Sequence, residues 1–161
     1  MTPFEWTGDA VAKALAMRDQ LVEATGAPRR FTGISTDSRT IREGELFVAL
    51  RGDRFDGHDF LADAIAAGAT GVVIDRAAPT EVLETLDASI FVVEDTLRAY
   101  GNLARARRDR IDVPVVVITG SSGKTTTKEL LRSAIDAHTR VHATPANLNN
   151  RIGLPQTLLA T

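Results

Sequence analysis

At 161 residues, with 43% hydrophobic and 25% charged residues, the chain has the make-up of an ordinary globular protein holding one domain, or one domain and part of a second. A formal net charge of −2 offers no bulk attraction to nucleic acid or to a membrane surface, and the absence of cysteine removes disulfides and thiolate metal sites. No apolar run approaches the roughly 20 residues that span a bilayer, and the opening MTPFEWTGDA lacks the basic leader and apolar core of a signal peptide, so a cytoplasmic protein is expected.

Val11, Leu15 and Val22 recur near helical spacing, which predicts a helix over 7–24, capped by Thr7 or Asp9 and stopped by Gly26-Ala27-Pro28. Trp6, just before the cap, suits a hydrophobic staple better than ligand stacking. Residues 30–35 read as a short strand, 41–44 as a turn, 45–50 as a strand and 51–57 as a polar loop with two glycines. The pattern over 59–67 is helical, with Gly68 as its stop, and 70–74 is the next strand. Pro79 and Thr80 open a short helix within the less regular stretch 76–88, and 89–93 is an apolar strand. Asp95 or Thr96 then caps a helix that turns Leu97, Tyr100 and Leu103 to the core and ends near Arg110. Its arginines, Arg105, Arg107, Arg108 and Arg110, read as a solvated face, because the chain is acidic overall and no aromatics are interleaved. Strands alternating with helices predict an α/β domain with a mixed sheet over roughly residues 1–110.

Chemistry announces itself after a boundary near 111–114. The β-branched run from Val113 to Ile118 predicts a strand buried on both faces, as in a parallel sheet. It leads into Thr119-Gly120-Ser121-Ser122-Gly123-Lys124-Thr125 and then a helix over about 123–137 that turns Leu130, Leu131, Ala134 and Ile135 inward. Strand, glycine loop, lysine, hydroxyl and helix make a phosphate cradle. Glycines let backbone N–H groups close around a polyphosphate, and the helix start adds the positive end of its dipole. The candidate nucleotide-binding residues are Gly120, Ser121, Ser122, Gly123, Lys124, Thr125 and Thr126. Lys124 is the catalytic candidate, reaching the β- and γ-phosphates, and Thr125 the candidate ligand of Mg²⁺. The common P-loop pattern would require glycine where Ile118 stands, so this loop is the shorter G-x-x-G-K-T. ATP is the working assumption, GTP remaining open because no base-reading residue is identifiable. A short strand near 140–142 and the polar stretch 144–150 follow. One strand and one helix do not cover both faces of a parallel sheet, so 111–161 read as the start of an incomplete second domain.

Three stretches carry a family resemblance. STDSR (35–39) with GELFVALRGDRFDGHDF (44–60) is similar to the N-terminal uridine-nucleotide-binding domain of the Mur ligases. TGSSGKTTTKE (119–129) resembles the short phosphate loop of that family, and NLNNRIGLPQTLL (147–159) resembles the segment after the loop in the MurF branch. The resemblance implies the first domain, and the beginning of the second, of a three-domain ligase of cell-wall synthesis. Such enzymes use ATP to turn a substrate carboxylate into an acyl phosphate, which an amine then displaces. The implied substrates are UDP-N-acetylmuramoyl-tripeptide and D-alanyl-D-alanine, with ATP and Mg²⁺. No nucleic-acid or membrane partner is implied, a monomer is expected, and this chain alone should show no ligase turnover. Thr36, Ser38, Asp53, Arg54 and Phe55 stand where relatives meet the uridine nucleotide, and Asn147 and Asn149 where they face the muramoyl end or the nucleotide phosphates. Arg151 departs from the pattern, which often has an acidic residue there.

Bland readings stand beside these. Asp37 and Arg39 serve equally as an ion pair across a turn, and the asparagines as turn formers. His58, between Asp56 and Asp59, reads as a helix-start histidine with capping carboxylates more readily than as a metal or acid–base site. His138 and His142 flank a helix end and are assigned no role. The rival functions are a MurE-type ligase adding a single diamino acid, a non-catalytic nucleotide-sugar binding module with a vestigial phosphate loop, and a small P-loop kinase or NTPase, which needs more strands after the loop.

Overall fold

Alternation of side chains along three short apolar strands decides the architecture of the first two-thirds of the chain. The computed structural model describes residues 5–17, 22–26, 29–52, 54–78, 87–145 and 148–161. Among them the strands are β1 (Trp6–Thr7), β2 (Val22–Thr25), β3 (Arg30–Phe31), β4 (Ile34–Ser35), β5 (Leu46–Val48), β6 (Gly71–Asp75) and β7 (Ser89–Val93). The helices are α1 (Gly8–Leu15), α2 (Leu61–Ala66), α3 (Thr96–Arg108), α4 (Lys124–Asp136) and α5 (Gly153–Leu159). The main sheet has the order β2-β7-β6-β5-β4, with β4 to β7 parallel and β2 antiparallel to β7. The expected mixed-sheet α/β architecture is present.

Leu46, Val48, Val73, Phe91 and Val93 face one side of this sheet, against Val11, Leu15, Tyr100 and Leu103 of α1 and α3. Phe47, Ala49, Val72 and Ile74 face the other, against Leu61 and Ala64 of α2. Each large side chain so buried is worth about 1.5–3 kcal/mol, and covering both faces is what a parallel sheet requires. Gly71 opens β6 because a Cβ there would lie 2.5 Å from the Phe31 ring, which packs edge-on against Phe91 at 6.2 Å. The Tyr100 phenol, buried among these groups, is pushed up to about 12 by desolvation and stays neutral.

Local chemistry sets the helix ends. Thr7 and Asp95 cap α1 and α3 by accepting from Ala10 N–H and Arg98 N–H. Gly68, at φ +116°, donates to Ile65 O while Ala69 N–H donates to Ala64 O, the paired bonds of a Schellman stop for α2. Buried Asn102 donates to Leu15 O and Met17 O, tying the end of α1 to α3.

Several expectations need correction. The helix expected over 7–24 ends at Leu15, and Val22 lies in a strand paired with Val93; ladder bonds to β7 outweigh a weak helical periodicity. Residues 30–35 form two strands in different sheets, since Phe31 pairs with Trp6 whereas Ile34 pairs with Leu46. Trp6 is buried in the core with Val11, as a staple would be, and is closed to a stacked ligand. Of the expected inward residues of α3, Leu97 is only half-buried. The arginine run is less free than a solvated face: Arg107 donates to Thr161 O, Arg108 to Ile111 O, and Arg105 pairs with Asp109. The short helix opened by Pro79 and Thr80 lies outside the described residues.

The largest departure is in the second unit. The run 113–118 forms no strand, and Val113, Val115, Val116 and Val117 are 45–82% exposed. A parallel strand is made by its neighbours, and no described segment offers this run a ladder. For the same reason α4 buries none of its residues, and Leu130, Leu131, Ala134 and Ile135 do not enter a core. Residues 140–142 are likewise no strand.

Candidate nucleotide-binding loops

Because β4 to β7 run parallel, the loops after them gather along one edge of the sheet, the side on which open α/β sheets hold ligands. Thr36 and Ser38 follow β4 there, both half-buried, and their hydroxyls meet no protein partner among the described residues. Between them Asp37 takes Arg39 as a bidentate pair, at 2.9 Å to Nε and 2.6 Å to Nη2. The turn ion pair therefore forms. The Arg39 hydrogen bond holds the Asp37 carboxyl below its ordinary range.

The loop after β5 carries Arg54 and Phe55 at its tip. Both are exposed, Phe55 by 71%, and the Arg54 guanidinium has no partner among the described residues. Asp53 lies outside them. Beneath the tip, Arg51 bonds Asp75 through Nε at 2.7 Å and Asp56 through Nη1 at 2.5 Å. Asp75 is held below the usual carboxylate range chiefly by that Arg51 bond, against the opposing effect of burial. For Asp56 burial is the largest single influence and pushes upward, yet the bonds from His58 and the Arg51 charge carry it downward overall. Asp56 also accepts from His58 N–H at 3.0 Å, so the capping role expected of the carboxylate holds. His58 stands at the helix start as expected, and its ring is buried, which a capping role alone does not require. The signals of that burial were an arginine opening a glycine loop and an aspartate closing the apolar strand GVVID.

In the phosphate loop, Gly123 adopts φ +76° as the residue preceding α4, a left-handed turn that glycine makes without strain. Among the described residues the backbone N–H groups of 120–126 meet no protein acceptor, and the first intrahelical bond is Thr127 N–H to Gly123 O at 2.9 Å. The side chains of Ser121, Ser122, Thr125 and Thr126 are exposed. Lys124 curls back to donate from Nζ to Gly120 O, so its charge lies over the loop. Unpaired amides at the start of a 13-residue helix, with an ammonium above them, are a donor set that fits a polyphosphate.

The segment after this loop returns to the first unit. Asn150 Oδ1 accepts from Ile152 N–H and Gly153 N–H, starting α5, and Ile152 and Leu159 pack against the core that α3 shares. Asn150 is thus a turn former, whereas Asn149 is exposed and has no protein partner among the described residues, outside which Asn147 lies. A cavity of about 430 Å³ between α3 and α5 is lined by Leu97 and Arg98 from the start of α3 and by Asn150 and Arg151. No hydrogen bond or ion pair links the phosphate loop to the carboxyl-edge loops among the described residues.

Comparison with known proteins gives the family. Residues 30–114 match the Mur ligase family, catalytic domain, and residues 118–161 match the Mur ligase middle domain. The first match alone covers just over half of the chain. The chain belongs to the Mur ligase family.

Its similarity to other Mur ligases is strong. It is 50% identical over 130 residues to the UDP-N-acetylmuramoyl-tripeptide–D-alanyl-D-alanine ligase of Synechocystis, over 81% of this chain and 28% of that protein. With the Bacillus subtilis protein of the same name it is 41% identical over 128 residues, 80% of this chain and 27% of the other. The crystal structure of MurF from Acinetobacter baumannii superposes with a TM-score of 0.82 at 34% identity, over 98% of this chain and 33% of that one. MurF from Thermotoga maritima, solved in complex with ADP, gives 0.69 at 39% identity, over 79% of this chain and 28% of that one. This Mur ligase chain thus spans little more than a quarter of the length of the curated relatives it matches.

Proposed function

We propose that residues 1–110 bind a uridine-nucleotide sugar and that 111–161 begin the ATP-binding domain of an ADP-forming ligase joining D-alanyl-D-alanine to UDP-N-acetylmuramoyl-tripeptide. Support comes from the names of the relatives, from the ADP in the Thermotoga maritima structure, and from the geometry of the two sets of loops. ATP supplies the phosphoryl group that activates the substrate carboxylate. The N–H groups of 120–126 and the dipole of α4 hold the phosphates, Lys124 stabilises charge on the transferring group, and Thr125 serves as the Mg²⁺ ligand. Ser121, Ser122 and Thr126 lend hydroxyls to the same loop.

Along the carboxyl edge, Thr36 and Ser38 supply hydroxyls, Asp53, Arg54 and Phe55 form the loop facing the uridine nucleotide, and Asn147 and Asn149 face its muramoyl end or phosphates. From the end of β4 to that of β7 is three strand spacings, about 15 Å, which suits an extended ligand. Holding the distant end of a long substrate there positions its reacting end, so that remote binding energy serves the chemistry. A cytoplasmic enzyme fits this reading, and among the described residues no helix is long and apolar enough to cross a membrane.

The observation that carries the proposal is the run of acceptor-free amides under Lys124. Equilibrium dialysis with Mg·ATP tests it: one site is expected, lost in Lys124→Ala, and retention of full binding by that variant would refute it.

A further inference from the structure

Backbone bonds fasten the two limbs of the loop that exposes Arg54 and Phe55. Gly52 N–H donates to Phe55 O at 2.9 Å and Gly57 N–H to Leu50 O at 2.8 Å, closing a narrow hairpin. A Cβ at Gly57 would lie within 2.8–2.9 Å of Leu50 and Ala49 backbone atoms, so its limbs are in direct contact. Arg51 clamps Asp56 on the loop and Asp75 at the end of β6.

Under this clamp sits His58, its side chain 2% exposed. Its Nε2 accepts from Asp75 N–H at 3.1 Å, and its Nδ1 lies 2.6 Å from Asp56 Oδ1. The Asp75 amide can only donate, so Nε2 carries no proton and Nδ1–H donates to Asp56. Both ring nitrogens are thereby used in joining the loop to the sheet. Neither is left for proton transfer or for a metal.

We propose that His58 is a positioning residue, which locks the 51–57 loop onto β6 so that Arg54 and Phe55 meet the phosphates and planar base of the nucleotide already in place. The proposal rests on the nucleotide-sugar reading of the carboxyl edge. Its physical basis is preorganisation: a loop ordered before binding loses no freedom when the ligand arrives. The His58 ring is shielded from water, whereas its partner Asp56 is 27% exposed and the tip of the loop is bare.

The test is a titration of the 161-residue chain with UDP, following backbone amide shifts at Ser38, Arg54 and Phe55, with ¹⁵N imidazole shifts reporting the His58 tautomer. The unchanged chain should respond at all three residues and show protonated Nδ1. His58→Ala should weaken UDP binding about tenfold, the effect of losing one hydrogen bond to a charged group. It should also lower the backbone order parameters of Arg54 and Phe55. His58→Asn keeps a donor for Asp56, and His58→Gln keeps an acceptor for Asp75 N–H. Each should recover part of the loss, and both carry the test if the alanine variant fails to fold. Unchanged affinity and order in folded variants would overturn the proposal while leaving the nucleotide reading intact. No response to UDP in the unchanged chain would overturn both.

Discussion

Two segments of nearly the same sequence meet opposite fates. Val72-Val73-Ile74 in β6 are all 0% exposed, flanked by β5 and β7 and covered by helices on both faces. Val115, Val116 and Val117, which lead to Ile118, are 45–82% exposed and pair with nothing among the described residues. Composition and β-propensity are matched, so the difference lies in what surrounds each run. A strand interior to a parallel sheet is stabilised by ladder bonds and by two packed faces, none of which it supplies itself. The first run is thus closed within a sheet, whereas the second leads into a glycine loop and a helix that buries none of its residues.

The sharpest way to break that comparison is to place a charge in each run. Val73→Asp should prevent folding at 25 °C, because an unpaired buried carboxylate costs more than the ~5–15 kcal/mol that holds a typical domain together. Val117→Asp should change stability by no more than about 0.5 kcal/mol. Urea unfolding followed by far-ultraviolet circular dichroism reads both, and comparable losses in the two variants would mean that the second run is buried after all.

A smaller effect tests how the loop edge of the closed unit is fastened. Asp75 joins Arg51 and accepts from Ala77 N–H, with its carboxyl held below its unfolded value near 3.9. A lowered folded pKa adds stability that is complete above the unfolded value and is lost as pH falls through the folded one. Stability of the first unit should therefore drop below about pH 4. Asp75→Asn should cost about 1–2 kcal/mol at pH 7 and flatten part of that acid limb. Thermal unfolding at pH 3 and pH 7 checks it, and an unaltered acid limb in the variant would remove Asp75 from the account.

Smallest of all, Arg39→Ala breaks an ion pair whose arginine side chain is 85% exposed, and screening by solvent should keep the loss smaller than that of Asp75→Asn. The variant's midpoint in the same urea titration measures it. A larger cost would show that the 36–40 turn depends on this pair for its shape.

How much of this was legible in the sequence follows from the same contrast. Features that a few neighbouring residues decide were readable: the caps Thr7 and Asp95, the Gly68 stop, the turn pair Asp37 and Arg39, and a glycine loop opening a helix at Lys124. Strand runs at 71–75 and 89–93 were readable because their apolar content matched their surroundings. Val22 was misread because its partner, Val93, lies 71 residues away, where periodicity carries no information. The run 113–118 was misread because its pattern describes the place a strand would take in a complete sheet. His58 was under-read, since its burial depends on Asp75, brought to it only by the crossover from β5 to β6.

Amide hydrogen exchange with and without Mg·ATP tests the central claim most directly, because it watches both regions and the loop together. Exchange should be slow at 72–74 in either condition, fast at 115–117, and fast at 120–126 until Mg·ATP is added and protects the loop. Protection at 120–126 that is present without nucleotide, or unchanged by it, would contradict a loop whose amides stand ready for phosphate.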